Sequence, residues 1–355
     1  MPDVVVMVSG CYDILHGGHV EFFTQARALG TKLIVCVASD EVLWAHKRRK
    51  SSIPLAHKIR LLEALTIVDE VVVGECKELG FDFKDHFLNI RPNILVVTED
   101  DKWESEKIKL CESIGTTYIR LPKTLNYEKV STSDILGFIQ APHEVPLRVD
   151  FGGGWLDVPK FSRPDAYIVN CAISPMVSLN NWPYYQGGGL GGSAAYAMLM
   201  GRDGVESELD LGVGWQDPAI IKETGLCAWR SGNEPILDIK INPDFLNGKM
   251  AIMWLGKEHY TPGAVDLSRD YDLIQRAGTL SYYGVRNRLF SYICDGVTTS
   301  YKVQMKEGMQ PLPEVTGSIA SKYLGGGHGG YALYLFDNEE ARNASNLIRV
   351  EPYLK

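Results

Sequence analysis

The run VVVMVSG, residues 4–10, is apolar at successive positions, and it ends in the turn CYDILHGGH before an apolar helix begins. An unbroken apolar strand is buried on both faces, as in a parallel sheet covered by helices. A strand that leaves such a sheet through a Gly-rich turn and enters a helix aims unpaired backbone N–H groups at one point, which favours an anion. The turn therefore reads as a phosphate site, with Asp13, His16 and His19 grouped around Gly17 and Gly18.

The next hundred residues repeat the alternation. HVEFFTQARALG places Val20, Phe23, Ala26 and Leu29 at helical spacing with Gly30 as a C′ stop. KLIVCVAS, EVVVG, PNILVVTE and TTYIRLP read as further strands, and AHKIRLLEALTIV reads as a helix. Alternating β and α with apolar strands predicts an α/β, doubly wound parallel sheet with ligands at the carboxyl ends of the strands.

Composition limits the function. With 355 residues, 45% hydrophobic and 23% charged, the chain has room for two domains. A net charge of −8 argues against a nucleic-acid partner. No long apolar span or signal-like segment is present, so the expectation is a cytoplasmic protein without a membrane partner. The seven cysteines show no C-x-x-C and read as reduced, small core residues.

GCYDILHGGH resembles the signature turn of the HxGH nucleotidyltransferases, which include glycerol-3-phosphate and phosphoethanolamine cytidylyltransferases and heptose-1-phosphate nucleotidyltransferases. The resemblance continues in order through ARALGTKLIVCVASDE, HKIRLLEALTIVDEVV and VSTSDIL, to about residue 138. It implies a Rossmann-like domain over residues 1–141. It also implies attack of a phosphate oxygen on the α-phosphorus of ATP or CTP, release of pyrophosphate with Mg²⁺, and no covalent enzyme intermediate. His16 and His19 are then catalytic donors to the transferring phosphate. Gly10, Cys11, Tyr12, Asp13 and Gly18 form the nucleotide turn. Lys47, in the basic run HKRRK after the second strand, and Lys58 meet phosphates; the family more often carries arginine at the position of Lys58. Ser131, Thr132 and Ser133 precede a helix and are expected both to cap it and to bind phosphate. TEDDKW, residues 98–103, stands where relatives carry a Gly-Asp pair.

Near QAPHEVPLRVDFGGGWLDVPKF the character changes, and a second Gly-rich system begins. This segment, QGGGLGGSAAYAML and KYLGGGHGGYALYLF resemble the three motifs of the GHMP kinases in family order, closest to heptose-7-phosphate kinases and fucokinases. The resemblance implies a shortened α+β kinase domain over residues 142–355. Gly189, Gly191, Gly192, Ser193 and Ala194 would cradle ATP phosphates, with Ser193 on Mg²⁺. Asp217 would deprotonate or orient the accepting hydroxyl, with Arg148 neutralising that carboxylate or the γ-phosphate. Asp157, Gly326 and Gly327 would bind substrate. Less chain than most relatives use separates Gly154 from Gly187. Arg230, Lys257, His259 and Arg269 read either as sugar-phosphate ligands or as exposed surface, and His328 is given no catalytic role.

The leading expectation is a bifunctional, homo-oligomeric enzyme. It phosphorylates the anomeric hydroxyl of a sugar or sugar phosphate, of heptose type, and then makes the nucleotide-sugar. The alternative is a cytidylyltransferase for a polyol or amino-alcohol phosphate, carrying a non-catalytic kinase-like module. A non-enzymatic regulatory protein is disfavoured by the two sets of phosphate-binding turns.

Overall fold

A computed structural model of the chain describes residues 3–123, 130–185, 187–258 and 267–355. The chain forms two compact units, Met1–Leu136 and Gly137–Lys355. The division falls within a helix, Thr132–Ile139, ahead of the 141/142 boundary expected from sequence.

In the first unit, β1 (Val5–Gly10), α1 (Gly17–Arg27), β2 (Lys32–Ala38), α2 (Asp40–Lys47), α3 (Leu55–Glu63) and β3 (Glu70–Gly74) are followed by α4 (Lys84–Ile90), β4 (Ile94–Thr98), α5 (Glu104–Ile114) and β5 (Thr117–Leu121). The five strands are parallel in the order β3-β2-β1-β4-β5. Val8 lies opposite Val35 of β2 and Val96 of β4, so β1 is the central strand from which the winding reverses. Ligands in such sheets sit at that reversal, beyond the carboxyl ends of the strands. The Cys11–His16 turn leaves β1 there.

The unbroken apolar strands have the expected cause. Val6, Val8, Val35 and Val37 pack with Phe23, Ala26 and Leu62 in one core. The alternate residues Met7, Ile34 and Cys36 pack with Phe81, Phe83 and Phe87 in another. Successive side chains point to opposite faces, and both faces are covered.

Gly30 differs from expectation. α1 ends at Arg27 with right-handed Ala28 as its cap, so Gly30 is not a left-handed stop. Its hydrogen faces the chain entering β1, and a Cβ would stand 2.4 Å from the Val4 carbonyl oxygen and 2.6 Å from Val6 Cγ2. Gly30→Ala therefore forces backbone movement and lowers stability by about 1–3 kcal/mol, read as a fall in denaturation midpoint at constant slope.

The chain continues through α6 (Thr132–Ile139), in which the division between the units falls. The strands of the second unit are β6 (Val145–Gly152), β7 (Tyr167–Val177), β8 (Leu226–Arg230), β9 (Ile236–Ile241), β10 (Met250–Trp254), β11 (Ser318–Tyr323), β12 (Tyr331–Phe336) and β13 (Ile348–Pro352). They form one antiparallel sheet, β11-β12-β10-β13-β7-β8-β9, with β6 also paired to β7. Its helices are α7 (Gly192–Leu199), α8 (Gly204–Asp210), α9 (Gln216–Glu223), α10 (Tyr271–Asn287), α11 (Phe290–Lys306) and α12 (Glu339–Asn343). Gly278 and Gly296 let α10 and α11 lie close against β7 and against each other: a Cβ at Gly278 would be 2.1 Å from Tyr167 O, and one at Gly296 would be 1.9 Å from Ser281 Oγ. The unit is α+β.

Among the described residues no helix is long and apolar enough to cross a membrane. Five of the seven cysteines are buried as expected, whereas Cys11 and Cys76 are only half-buried.

Candidate functional sites

At the end of β1 the chain turns through Tyr12, which adopts φ +42°. That is a strained conformation for an aromatic residue. It tucks the ring under the turn, T-shaped to His19 at 5.2 Å and to Phe23 at 5.0 Å. Gly10 is small because the Tyr12 ring folds back over it, 2.9 Å from where a Cβ would be. The expected nucleotide contact from Tyr12 is thereby confined to its main chain, since the side chain is buried.

His16 is the N-cap of α1 and makes no side-chain cap bond, and Gly17 and Gly18 lie in the first helical turn. Three residues on, His19 falls on the same side, and the two imidazoles stack with centroids 3.9 Å apart. Burial lowers both histidines. For His19 the neighbouring His16 and Lys123 add to it and bring the pKa to about 4, while Asp134 partly opposes the shift at His16. The Nδ1 atoms of both rings are buried without a hydrogen-bond partner. The pair is a neutral, aligned set of imidazoles at a helix N-terminus.

The unfolded chain takes up the His19 proton near pH 6.5 and the folded chain only near 4, so protons favour unfolding between these values. The stability contributed by keeping His19 neutral is complete above pH 6.5 and is lost as the pH falls toward 4. Denaturation midpoints measured from pH 7.5 to 4 are expected to fall, and less steeply in His19→Gln.

The Asp13 carboxylate is taken up by donors of this chain. It is buried and accepts from Arg49 at 2.5 Å, Ser51 Oγ at 3.1 Å, and Ser52 N and Oγ at 2.7 and 2.9 Å. Burial alone would raise its pKa, but these bonds hold it at about 2. Asp13 anchors the basic loop, because a carboxylate can only accept hydrogen bonds and the loop supplies donors. Part of the run read as loop is helical: His46 and Lys47 close α2, and Arg48 is its left-handed cap. Lys47, Lys58 and Arg49 all act on the Cys11 thiol, lowering a pKa that burial raises. Lys58 is buried and holds Ser51 Oγ at 2.7 Å and Asp40 at 3.7 Å. Sequence reading missed Arg49.

Ser131 caps α6, its Oγ accepting from Asp134 N at 3.2 Å while Asp134 Oδ2 accepts from Ser131 N and Oγ. Thr132 Oγ1 reaches Ile14 O in the turn at 3.4 Å, and Ser133 is exposed. The acidic stretch after β4 is internally paired: Asp100 with Lys123, and Asp101 with Lys107 and Tyr118.

Residues 7–138 match the cytidylyltransferase-like family. The FAD synthase of Thermococcus onnurineus (strain NA1) is 33% identical over 134 residues, which is 37% of this chain and 87% of that protein. The chain belongs to the cytidylyltransferase-like family. The bifunctional protein HldE of Methylococcus capsulatus is 41% identical over 93 residues, 26% of this chain and 19% of that protein. In structure the chain is similar to L. major mevalonate kinase in complex with R-mevalonate, at TM-score 0.44 and 12% identity, covering 60% of this chain and 96% of that one.

The second unit of this cytidylyltransferase-like chain holds a cavity of about 670 Å³. On its wall the glycine turn leads into α7 through Gly189 (φ +76°) and Gly191 (φ +77°), with no side chain capping the helix. Arg148 of β6 fixes this turn twice, donating its N–H to Leu190 O at 3.0 Å and Nη1 to Gly189 O at 2.8 Å. A Cβ on Gly191 would lie 3.1 Å from Arg148 and 3.4 Å from Asp217, so glycine permits the turn to rest on that pair. Arg148 forks onto Asp217, with Nε to Oδ1 at 2.6 Å and Nη2 to Oδ2 at 2.8 Å, and also reaches Asp150 at 3.1 Å. Lys322 of β11 closes the row on Asp150. The arginine is thus paired with Asp217 and Asp150. Ala194 is buried, leaving its main chain as the part that a ligand meets.

Asp157 lines the cavity, but its carboxylate is already engaged by Trp155 N at 3.0 Å, Gln216 N at 3.2 Å and Gln216 Nε2 at 3.3 Å. It caps α9 from a distance and so holds Asp217 in the first turn of that helix. Burial and the Asp217 charge push Asp157 up to about 7. Of the two glycines expected at substrate, Gly326 lines the cavity, and Gly327 (φ +74°) packs on Met309.

Glu208 went unread in the sequence. It lies on α8, whose start Asp203 caps by accepting from Val205 N and Glu206 N. Burial, then Asp217, raise the pKa of Glu208, while a hydrogen bond with Ser193 opposes them. Its Oε1 is buried without a partner. Among the described residues no group of three or more His, Cys, Asp or Glu side chains is placed to hold a metal. One carboxylate and one hydroxyl beside a phosphate turn do fit Mg²⁺, which commonly takes one or two carboxylates and completes its shell with phosphate and water.

Arg230 pairs with Asp238 on the surface, Arg269 is buried over Trp155, and Lys257 lends its main-chain oxygen to Gly330 N. His328 is exposed at φ +59°, and His259 lies outside the described residues.

Proposed function

We propose that the chain joins two transferases. The second unit phosphorylates the anomeric hydroxyl of a sugar or sugar phosphate with ATP, and the first unit transfers a nucleotidyl group to the new phosphate and releases pyrophosphate. In the first unit, the stacked imidazoles of His16 and His19 at the start of α1 carry the reading. They donate hydrogen bonds to the α-phosphate oxygens as charge grows there, while Lys47 at the end of α2 and Arg49 in the loop anchored by Asp13 meet the triphosphate. The likeness to the FAD synthase supports testing adenylyl transfer beside cytidylyl transfer.

In the second unit, the contact of the glycine turn with Arg148 and Asp217 carries the reading. ATP phosphates bind along Gly189–Ala194, and Asp217 orients the accepting hydroxyl beside them. Ser193 and Glu208 hold Mg²⁺, which neutralises phosphate charge when bound. Incubating the full chain with Mg²⁺, ATP or CTP, and a panel of sugars, sugar 1-phosphates, polyol phosphates and FMN, with products identified by mass, tests both halves. Sugar-dependent formation of a sugar 1-phosphate, followed by a nucleotide-sugar, is the expected result.

A further inference from the structure

Four polar side-chain atoms on residues lining the cavity of the second unit are buried without a hydrogen-bond partner: Tyr184 Oη, Glu208 Oε1, Gln216 Oε1 and Glu307 Oε2. Gln216 Oε1 can only accept, and the two carboxylate oxygens accept when ionised; an acceptor left unmet in a buried wall costs free energy until a donor arrives. The charged and side-chain amide donors of the wall are engaged, while the Tyr184 hydroxyl, a donor as well as an acceptor, is not. The wall's two cations among the described residues are Arg148, held by Asp217, Asp150 and Gly189 O, and Lys322, held by Asp150. Gln304 is tied through both amide atoms to the main chain of Tyr323.

Glu307 follows α11 as its C-cap, with its side chain 5% exposed. Oε1 lies 3.5 Å from Arg269 Nε, and the Arg269 guanidinium lies 3.7 Å from the Trp155 ring, so the carboxylate is held in place while Oε2 has no partner. Glu208 lies beside Ser193 and the phosphate turn. That leaves Gln216 and Glu307 to meet the acceptor.

We infer that the kinase acceptor is an uncharged polyhydroxyl sugar whose hydroxyls donate to Glu307 and Gln216, not a sugar already carrying a phosphate. This rests on the kinase reading of the cavity. A phosphate is itself an acceptor at neutral pH. A second one would set a dianion against five carboxylates (Asp150, Asp157, Glu208, Asp217 and Glu307) with no uncommitted cation among the described lining residues. A free sugar instead supplies the donors that these oxygens lack.

Calorimetry on the full chain, saturated with Mg²⁺ and a non-hydrolysable ATP analogue, distinguishes the two. The probes are ribose, mannose, galactose and a heptose, each against its terminal phosphate. At least one free sugar is expected to bind ten times or more tighter than its phosphate. Glu307→Gln is expected to weaken that sugar about tenfold or more, as for a hydrogen bond to a charged group, with the nucleotide affinity unchanged. A sugar phosphate binding as tightly as its parent, no sugar binding, or an unchanged sugar affinity in Glu307→Gln overturns the inference. The wild-type comparison stands if the variant fails to fold. Sugar binding with no phosphorylated product once ATP replaces the analogue would sink the kinase reading and leave the acceptor preference of the cavity intact.

Discussion

Nucleotidyl transfer in His16→Ala or His19→Ala is expected to fall by about 10²–10³, the usual loss when one donor aimed at a developing phosphoryl charge is removed. The two variants should differ in stability. His19 packs on Tyr12, itself held in a strained backbone conformation, whereas His16 sits at the helix start with no such wedge behind it. His19→Ala therefore loses stability as well as rate, and His16→Ala loses mainly rate. A transfer rate within about threefold of wild type in both variants would falsify the assignment of this turn. Phosphorylation in the second unit is the internal control and should be unchanged.

The first unit is written plainly in the sequence because its strands are buried on both faces and its turns are glycine-rich. Apolar runs therefore mark β1 to β5, and HxGH marks the turn at the carboxyl end of β1. The second helix was hidden because its last turn shares the charged run HKRRK, in which helix and solvated loop look alike. For the same reason Lys47 stood out and Arg49 did not, although Arg49 is the residue that Asp13 grips. Asp13 and Asp157 illustrate one general loss of information. A sequence shows that a carboxylate stands near a phosphate turn, but only packing shows whether ligand or backbone donors fill its oxygens. In both cases backbone and side-chain donors of this chain fill them.

In the second unit, residues of all three glycine motifs line the cavity. Glu208, Gln216, Glu307 and Lys322 could not be paired with it from spacing alone. They come from α8, α9, the end of α11 and β11, and long-range contacts between such elements leave no periodic trace in the sequence. Charge arithmetic on the whole chain is also blind here. A net charge of −8 over 355 residues does not reveal that five carboxylates converge on one cavity.

Asp217→Asn is expected to lower ATP-dependent phosphorylation by about 10²–10⁴ while leaving nucleotidyl transfer to a supplied sugar 1-phosphate at the wild-type rate. The structure adds a reason for a large effect. Both Asp217 oxygens meet the Arg148 fork, and asparagine keeps one acceptor but turns an amide donor toward a guanidinium that is itself only a donor. The fork opens, and Arg148 keeps Asp150 and Gly189 O. Two consequences follow that a surface carboxylate would not show. The glycine turn stays anchored, so binding of an ATP analogue should persist within a few-fold. The Asp157 carboxyl, raised partly by the Asp217 charge, should titrate lower than its present value of about 7, moving any acid limb of residual activity downward. Wild-type phosphorylation in Asp217→Asn would remove this residue from the reaction. Loss of ATP-analogue binding together with activity would show instead that the carboxylate maintains the phosphate turn through Arg148 and does not act on the accepting hydroxyl.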